Sequence, residues 1–285
     1  MNSRAPGPGW GRSFPLAKYF GIELRLHWSF LALMAVLGLS VLADTGSLVA
    51  VAGVLIPLVL AFLCVALHEY GHALTARYFG IRTRGITLLP IGGIAELERN
   101  PSSPAQEFWI ALAGPAVNFA LAGLLFSFSW GTGGSPPGLA GTGIETSVLG
   151  WLLRLNLLLG SFNLLPALPM DGGRILRAAL AFWMPSLAAT RIAASIARGI
   201  AAFMVVFGLS RDQWMLALIG VFVWTAARAE LRQARAQEIL EHRLGQAFRE
   251  AGADRGAESD IIEMQTNPKG EWTHSHPDRR KRRPE

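Results

Sequence analysis

Residues 48–67 (LVAVAGVLIPLVLAFLCVAL) run for twenty positions without a charge, long enough for a helix to cross the hydrocarbon of a bilayer. Directly after this run comes His68-Glu69-Tyr70-Gly71-His72, which sets three ionisable side chains beside hydrocarbon, where each is costly unless partnered. Histidines at i and i+4 share one helix face, the spacing that lets both imidazoles reach one Zn²⁺. The intervening Glu69 suits a general base acting on water that the metal activates. A His-Glu-x-x-His string also arises as an ordinary solvated helix face. The apolar setting favours metal ligation, which supplies the partner the histidines need.

Composition extends the same reading. Hydrophobic residues make up 51% of the 285 and charged residues 16%, with a mean hydropathy of +0.34. That balance excludes a large soluble enzyme and fits a polytopic membrane protein. A single cysteine, Cys64, excludes an intrachain disulfide. The net charge of +6 is concentrated before the first apolar run, in some connections and in the tail. Such asymmetry reports topology and contact with anionic lipid rather than nucleic-acid binding. No cleavable signal is expected, since about two dozen residues precede the first apolar run.

Six candidate spans follow from apolar runs: residues 27–43, 48–76, 108–130, 147–165, 192–209 and 213–227. The expected fold is therefore an all-α polytopic membrane protein of about six transmembrane helices, with a short membrane-associated β-hairpin after the second. Residues 1–26 read as a cytoplasmic N-terminal segment, 27–227 as the transmembrane domain, and 228–285 as a cytoplasmic tail, helical and then disordered and basic. Connections around Arg77, Arg82, Arg84 and Arg99, and around Arg174, Arg177 and Arg191, are basic, and those at Asp44, residues 131–145 and Arg211-Asp212 have no positive excess. The positive-inside rule then puts both termini in the cytoplasm of a multi-pass cell-membrane protein. Arg154 and Arg198 fall inside spans and read as snorkelling or cavity-facing. In the tail, His242, His274, His276 and the run Arg279–Arg283 read as solvent-exposed and attracted to anionic head groups.

Between the second and third spans, residues 85–97 (GITLLPIGGIAEL) carry Pro90 and Gly92-Gly93 between apolar flanks, the pattern of a hairpin. It is either an ordinary surface hairpin or an edge strand beside the metal that pairs with an unfolded peptide, with Gly92 and Gly93 as substrate-binding candidates.

A catalytic zinc takes three protein ligands and leaves one position open. A third candidate lies in Asn163-Leu164-Leu165-Pro166-Ala167-Leu168-Pro169-Met170-Asp171-Gly172-Gly173, where prolines and glycines break the helix. Broken backbone at membrane depth is tolerated where it lines a protein-enclosed cavity. Asp171 there is either the third ligand or the N-cap of a helix starting at Gly172 or Gly173. At 1.5 Å per residue, 48 to 68 spans roughly 30 Å and 147 to 163 roughly 24 Å, so both motifs reach the same half of the bilayer. Cys64, one turn before His68, reads as packing, because a fourth protein ligand would close the open position. His27-Trp28 fits an interfacial anchor.

With both motifs in view, the chain resembles the site-two proteases, membrane-embedded zinc metalloproteases. His68-Glu69-Tyr70-Gly71-His72 matches the family's first motif. Asn163, Pro166, Asp171 and Gly172 match its Asn-x-x-Pro-x-x-x-x-Asp-Gly motif. Gly114-Pro115-Ala116-Val117-Asn118 is similar to its Gly-Pro-x-x-Asn element, and Pro90-Ile91-Gly92-Gly93 to its hairpin. The opening residues 21–30 and Gly172-Gly173-Arg174 resemble the subfamily related to members fused to CBS domains. Residues 228–285 are too short and polar for those domains, so a member without them is expected.

The resemblance implies one Zn²⁺ per chain held by His68, His72 and Asp171, Glu69 as general base and acid, and Asn163 hydrogen-bonded to the oxyanion. Asn118 would either brace a neighbouring helix or contact substrate. It also implies a single-span membrane-protein substrate such as an anti-sigma factor, cut near the cytoplasmic face. An intramembrane metal transporter and an inert zinc-binding scaffold are the alternatives. Neither would depend on Glu69 for peptide cleavage.

Overall fold

The computed structural model describes residues 13–90, 92–131 and 148–263. Ile91, the 131–145 connection beyond Gly131, and the basic run Arg279–Arg283 with His274 and His276 lie outside the described residues. In chain order the elements are β1 (Ser13–Tyr19), β2 (Ile22–His27), α1 (Trp28–Thr45), α2 (Leu48–Tyr78), β3 (Thr83–Leu89) and β4 (Gly92–Leu97). Then follow α3 (Pro104–Gly131), α4 (Val148–Asn163), α5 (Asp171–Ala181), α6 (Ser186–Ser210) and α7 (Trp214–Glu263). The chain divides into two units, Met1–Leu231 and Arg232–Glu285.

Burial is inverted relative to a water-soluble protein. Large apolar side chains such as Val49, Ile56, Val59, Leu124 and Phe203 face outward, whereas His68, His72, Asn118, Asn156, Asp171 and Thr190 are buried. Outward apolar and inward polar surfaces suit a lipid solvent, in which polar groups must find partners inside the protein. Among the described residues five helices, α1, α2, α3, α6 and α7, are long and apolar enough to cross a membrane. This is a multi-pass membrane protein. Six spans were expected, but the one at 147–165 is realised as α4, of 16 residues, roughly 24 Å long. It stops at Asn163 because Pro166 has no N–H with which to continue the ladder. The residues expected to form a charged helix after Ala227 belong to α7, which runs to Glu263.

Short connections are set by local chemistry. Gly46 takes φ 63° at the end of α1, a conformation glycine adopts without a Cβ penalty, and donates its N–H to Leu42 O at 2.8 Å. Ser47 then caps α2 by accepting from Ala50 N. His27 caps α1, its Nδ1 accepting from Ser29 N at 3.2 Å, so the imidazole has a structural task beyond an interfacial position.

The β-structure is larger than one hairpin. Four strands form a sheet in the order β1-β2-β3-β4, with β1/β2 and β3/β4 antiparallel and β2/β3 parallel. Glu23 to Leu26 lie opposite Gly85 to Leu88. The N-terminal segment was not expected to join the sheet, yet its Ile-Glu-Leu-Arg-Leu-His alternation puts Ile22, Leu24 and Leu26 on one face. That face packs with Ile86 and Leu88 against Ala66, Tyr70 and Ala73 of α2.

Small residues let the later helices meet closely. Ala193, Ala194, Ala197 and Ala201 of α6 cluster with Val223 and Ala227 of α7 and with Ala167, Leu168 and Met170. A Cβ on Gly220 would stand 2.8 Å from Ala201 O. An ion triad adds a polar tie. Arg177 of α5 reaches Glu107 of α3, Nε to Oε1 2.7 Å, and Glu230 of α7, Nη1 to Oε1 2.6 Å. Burial pushes the Arg177 guanidinium down, and Glu107 and Glu230 more than reverse this, so it stays charged. Replacing Arg177 with Met strands two largely buried carboxylates, a loss on the order of 3 kcal/mol. The thermal-unfolding midpoint in detergent should fall. An unchanged midpoint would mean that the triad carries no stability.

Candidate metal centre

Successive residues of a helix turn by about 100°, so one helix can serve three neighbours. On α2, Ala66, Tyr70 and Ala73 form the stripe that packs on the sheet. His68 and His72 lie on the far side, towards α3 and α5, with Glu69 between the two stripes.

Asp171 is the first residue of α5, and the N-cap position belongs to Met170, which makes no side-chain cap. The reading of Asp171 as a helix cap is therefore replaced by another partner set. Its Oδ2 lies 3.1 Å from His68 Nε2 and 3.2 Å from His72 Nε2, and the two Nε2 atoms are 3.0 Å apart. Among the described residues these three form a group able to hold a metal ion. All three are buried. Gly172 and Gly173 make the approach possible. A Cβ on Gly172 would fall 2.3 Å from Leu164 O and Leu165 O, and one on Gly173 2.4 Å from Leu168 N, so the broken segment folds back on the start of α5.

The donor set fits zinc. Tetrahedral bonds of about 2.0 Å imply ligand-to-ligand edges of about 3.3 Å, close to the 3.0–3.2 Å triangle seen here. His72 Nδ1 stands 2.6 Å from the Ile110 carbonyl oxygen. A carbonyl only accepts, so the proton is on Nδ1 and Nε2 presents a lone pair to the ion, the arrangement a backbone carbonyl imposes on metal-binding histidines. Cys64 is apart from the triangle, its Sγ accepting from Asn156 Nδ2 at 3.2 Å.

A cleft of about 940 Å³ opens onto these groups. His68, Glu69, His72 and Asp171 line it together with Asn163, the last residue of α4, and Asn118 of α3. Gly92 and Gly93 line it from β4. Gly93 touches the glutamate closely, since a Cβ there would meet Glu69 Cγ at 2.5 Å. Asn118 is fully buried, its Nδ2 3.1 Å from His68 Nδ1. Arg198 bonds within its own helix, to Ala194 O and Ser195 Oγ.

Sequence reasoning missed two features of this region. Arg174 lines the cleft, and its i+3 spacing from Asp171 on α5 was the signal that both share a face. The close contact of Gly114 with the histidines was also missed. A Cβ there would stand 2.2 Å from His72 Nε2 and 2.7 Å from His68 Nε2, so α3 passes the metal triangle with its backbone. Gly71 is its counterpart on α2, where a Cβ would meet Ala113 O at 2.8 Å.

Similarity to known proteins follows the same residues. Residues 55–134 and 137–207 match peptidase family M50. The chain is 36% identical over 235 residues to a zinc metalloprotease of Methanocaldococcus jannaschii, covering 81% of this chain and 64% of that relative. It is 34% identical over 250 residues to Rip3 of Mycobacterium tuberculosis, covering 80% and 61%. The chain thus spans less than two thirds of the length of these curated relatives. Among solved structures, the site-2 protease from Methanocaldococcus jannaschii aligns with a TM-score of 0.54 at 36% identity, over 77% of this chain and 95% of that one.

Gly114→Ala drives a methyl group into the ligand triangle and should weaken zinc binding by more than about 100-fold. Gly123→Ala, on the same helix with nothing within 4 Å of its Cβ position, should bind normally. Metal analysis after dialysis checks both. Equal zinc in the two variants would contradict the placement of α3.

Proposed function

This chain belongs to peptidase family M50, and on that premise we propose that it is a zinc-dependent intramembrane endopeptidase. It hydrolyses peptide bonds in or near transmembrane segments of membrane proteins, in regulated proteolytic signalling. One observation carries the reading. The ligand atoms of His68, His72 and Asp171 lie within 4.8 Å of one another, with Glu69 in the same cleft, inside a bundle whose outer surface is apolar.

His68 and His72 offer Nε2 and Asp171 offers Oδ2 to the zinc. Bound there, the ion supplies Lewis acidity to a water and to the scissile carbonyl. Glu69 takes the proton from the attacking water as its oxygen bonds to the carbonyl carbon, then hands that proton to the amine as the C–N bond breaks. Asn163 donates a hydrogen bond to the carbonyl oxygen as it gains charge.

A transmembrane helix hides its peptide bonds, so a substrate must unwind before cleavage. Strand β4 ends the sheet order and lines the cleft, which supports docking of the unwound stretch by strand addition past Gly92 and Gly93. The substrate class is a single-span membrane protein, an anti-sigma factor by family resemblance. Basic connections at Arg77, Arg82 and Arg84 and at Arg174 and Arg177 support a cytoplasmic location for the termini and for this end of the bundle.

Glu69→Gln keeps the three ligands, so purified protein should hold as much zinc as wild type. It should cleave single-span substrates in proteoliposomes about 10²- to 10⁴-fold more slowly. Cleavage at the wild-type rate would refute the role of Glu69, and equal zinc with no cleavage by either protein would return the transporter and scaffold alternatives.

A further inference from the structure

His72 has its tautomer set by a backbone carbonyl, but His68 does not. The neighbour of His68 Nδ1 is the Asn118 amide at 3.1 Å. That amide is completely enclosed, between the ligand-bearing α2 and Gly160 of α4, where a Cβ would come 3.4 Å from Asn118 Cβ. With Nδ2 towards the imidazole, Asn118 donates to Nδ1, and Oδ1 is buried with no partner. A histidine that accepts at Nδ1 carries its proton on Nε2 and has no lone pair there for a metal. Ligation through Nε2 requires the proton on Nδ1, and an Nδ1–H facing an amide N–H₂ sets donor against donor.

Turning the same planar amide by half a revolution about its last torsion exchanges its two polar atoms in place. Oδ1, idle in the first arrangement, then accepts Nδ1–H of His68, while Nδ2 moves to the place where Oδ1 had no partner, so the exchange is driven by the tautomer that ligation needs. Resting on the metal reading given above, we propose that Asn118 is a positioning residue. Its side-chain oxygen holds His68 in the tautomer and ring orientation that bind the metal. The Gly-Pro-x-x-Asn segment then has one purpose at both ends. Gly114 clears space for the two Nε2 atoms, and Asn118, one turn on, governs the opposite nitrogen of His68. This role differs from substrate contact, because the amide acts on the far side of the imidazole from the ligand triangle.

The test is the zinc dissociation constant of the full chain in detergent, measured by competition with a chromophoric chelator. Asn118→Leu conserves size but has no acceptor, and should weaken zinc binding ten- to hundredfold. Asn118→Asp can only accept in its ionised form, and should bind zinc as tightly as wild type or more tightly. In a His68→Ala background the Leu substitution should change nothing further, since its effect passes through His68. Wild-type affinity in the Leu variant would overturn the proposal, as would an equal loss in the Asp and Leu variants, which would mean that donation by the amide matters. An undiminished Leu effect without His68 would also overturn it. Wild type that binds no zinc would overturn the metal reading itself, an outcome distinct from the other three.

Discussion

Two imidazoles and a carboxylate meet within hydrogen-bonding distance of one another inside a bundle whose outer surface is hydrocarbon-like. Charged or polar groups in that setting are stable only with partners, and the carboxylate comes from 103 residues beyond His68 in the chain. The rest of the architecture answers that one requirement. A broken segment with two adjacent glycines brings Asp171 up to α2, and Gly114 lets α3 pass without a side chain in the way. The ion triad of Glu107, Arg177 and Glu230 ties the helix that bears Asp171 to its neighbours on two sides.

Helix α2 organises the centre because its faces have different neighbours. One stripe anchors the sheet through Ala66, Tyr70 and Ala73, and another presents His68 and His72. Glu69 lies between them, so it borders both the metal triangle and strand β4. A general base at that seam would be within reach of water at the ion and of a peptide lying along the strand. The same geometry makes Gly93 a position of close approach, which the pattern of a hairpin alone does not convey.

Much of this was legible in the residues. The uncharged run before His68 and the i, i+4 histidines specify a helix and its ligand face together, because helical periodicity is local. The Pro166 to Gly173 stretch announced a break in the helix, but what Asp171 touches is a long-range fact. Sequence left ligand and cap as alternatives, and the packing of Gly172 and Gly173 decides where the carboxylate turns. Strand β2 went unread although Ile22 to His27 alternate strictly, because its parallel partner β3 lies beyond two helices and parallel pairing has no local signature. At 147–165 the apolar run is realised as a helix of 16 residues, whose end the prolines and glycines after Asn163 already foreshadow. Arg174 and Arg177 were weighed as topology charges, and Arg174 also as part of the Gly172-Gly173-Arg174 likeness. Their separate destinations, the cleft and the triad, depend on which helices pack around α5.

The most direct test of the account is zinc K-edge X-ray absorption on the purified, zinc-loaded full-length protein. Two histidine ligands and one carboxylate predict nitrogen and oxygen scatterers near 2.0–2.1 Å, with multiple scattering from two imidazoles. A sulfur shell near 2.3 Å, which would bring Cys64 to the ion, or the signature of fewer than two imidazoles, would contradict the convergence of His68, His72 and Asp171 on one metal.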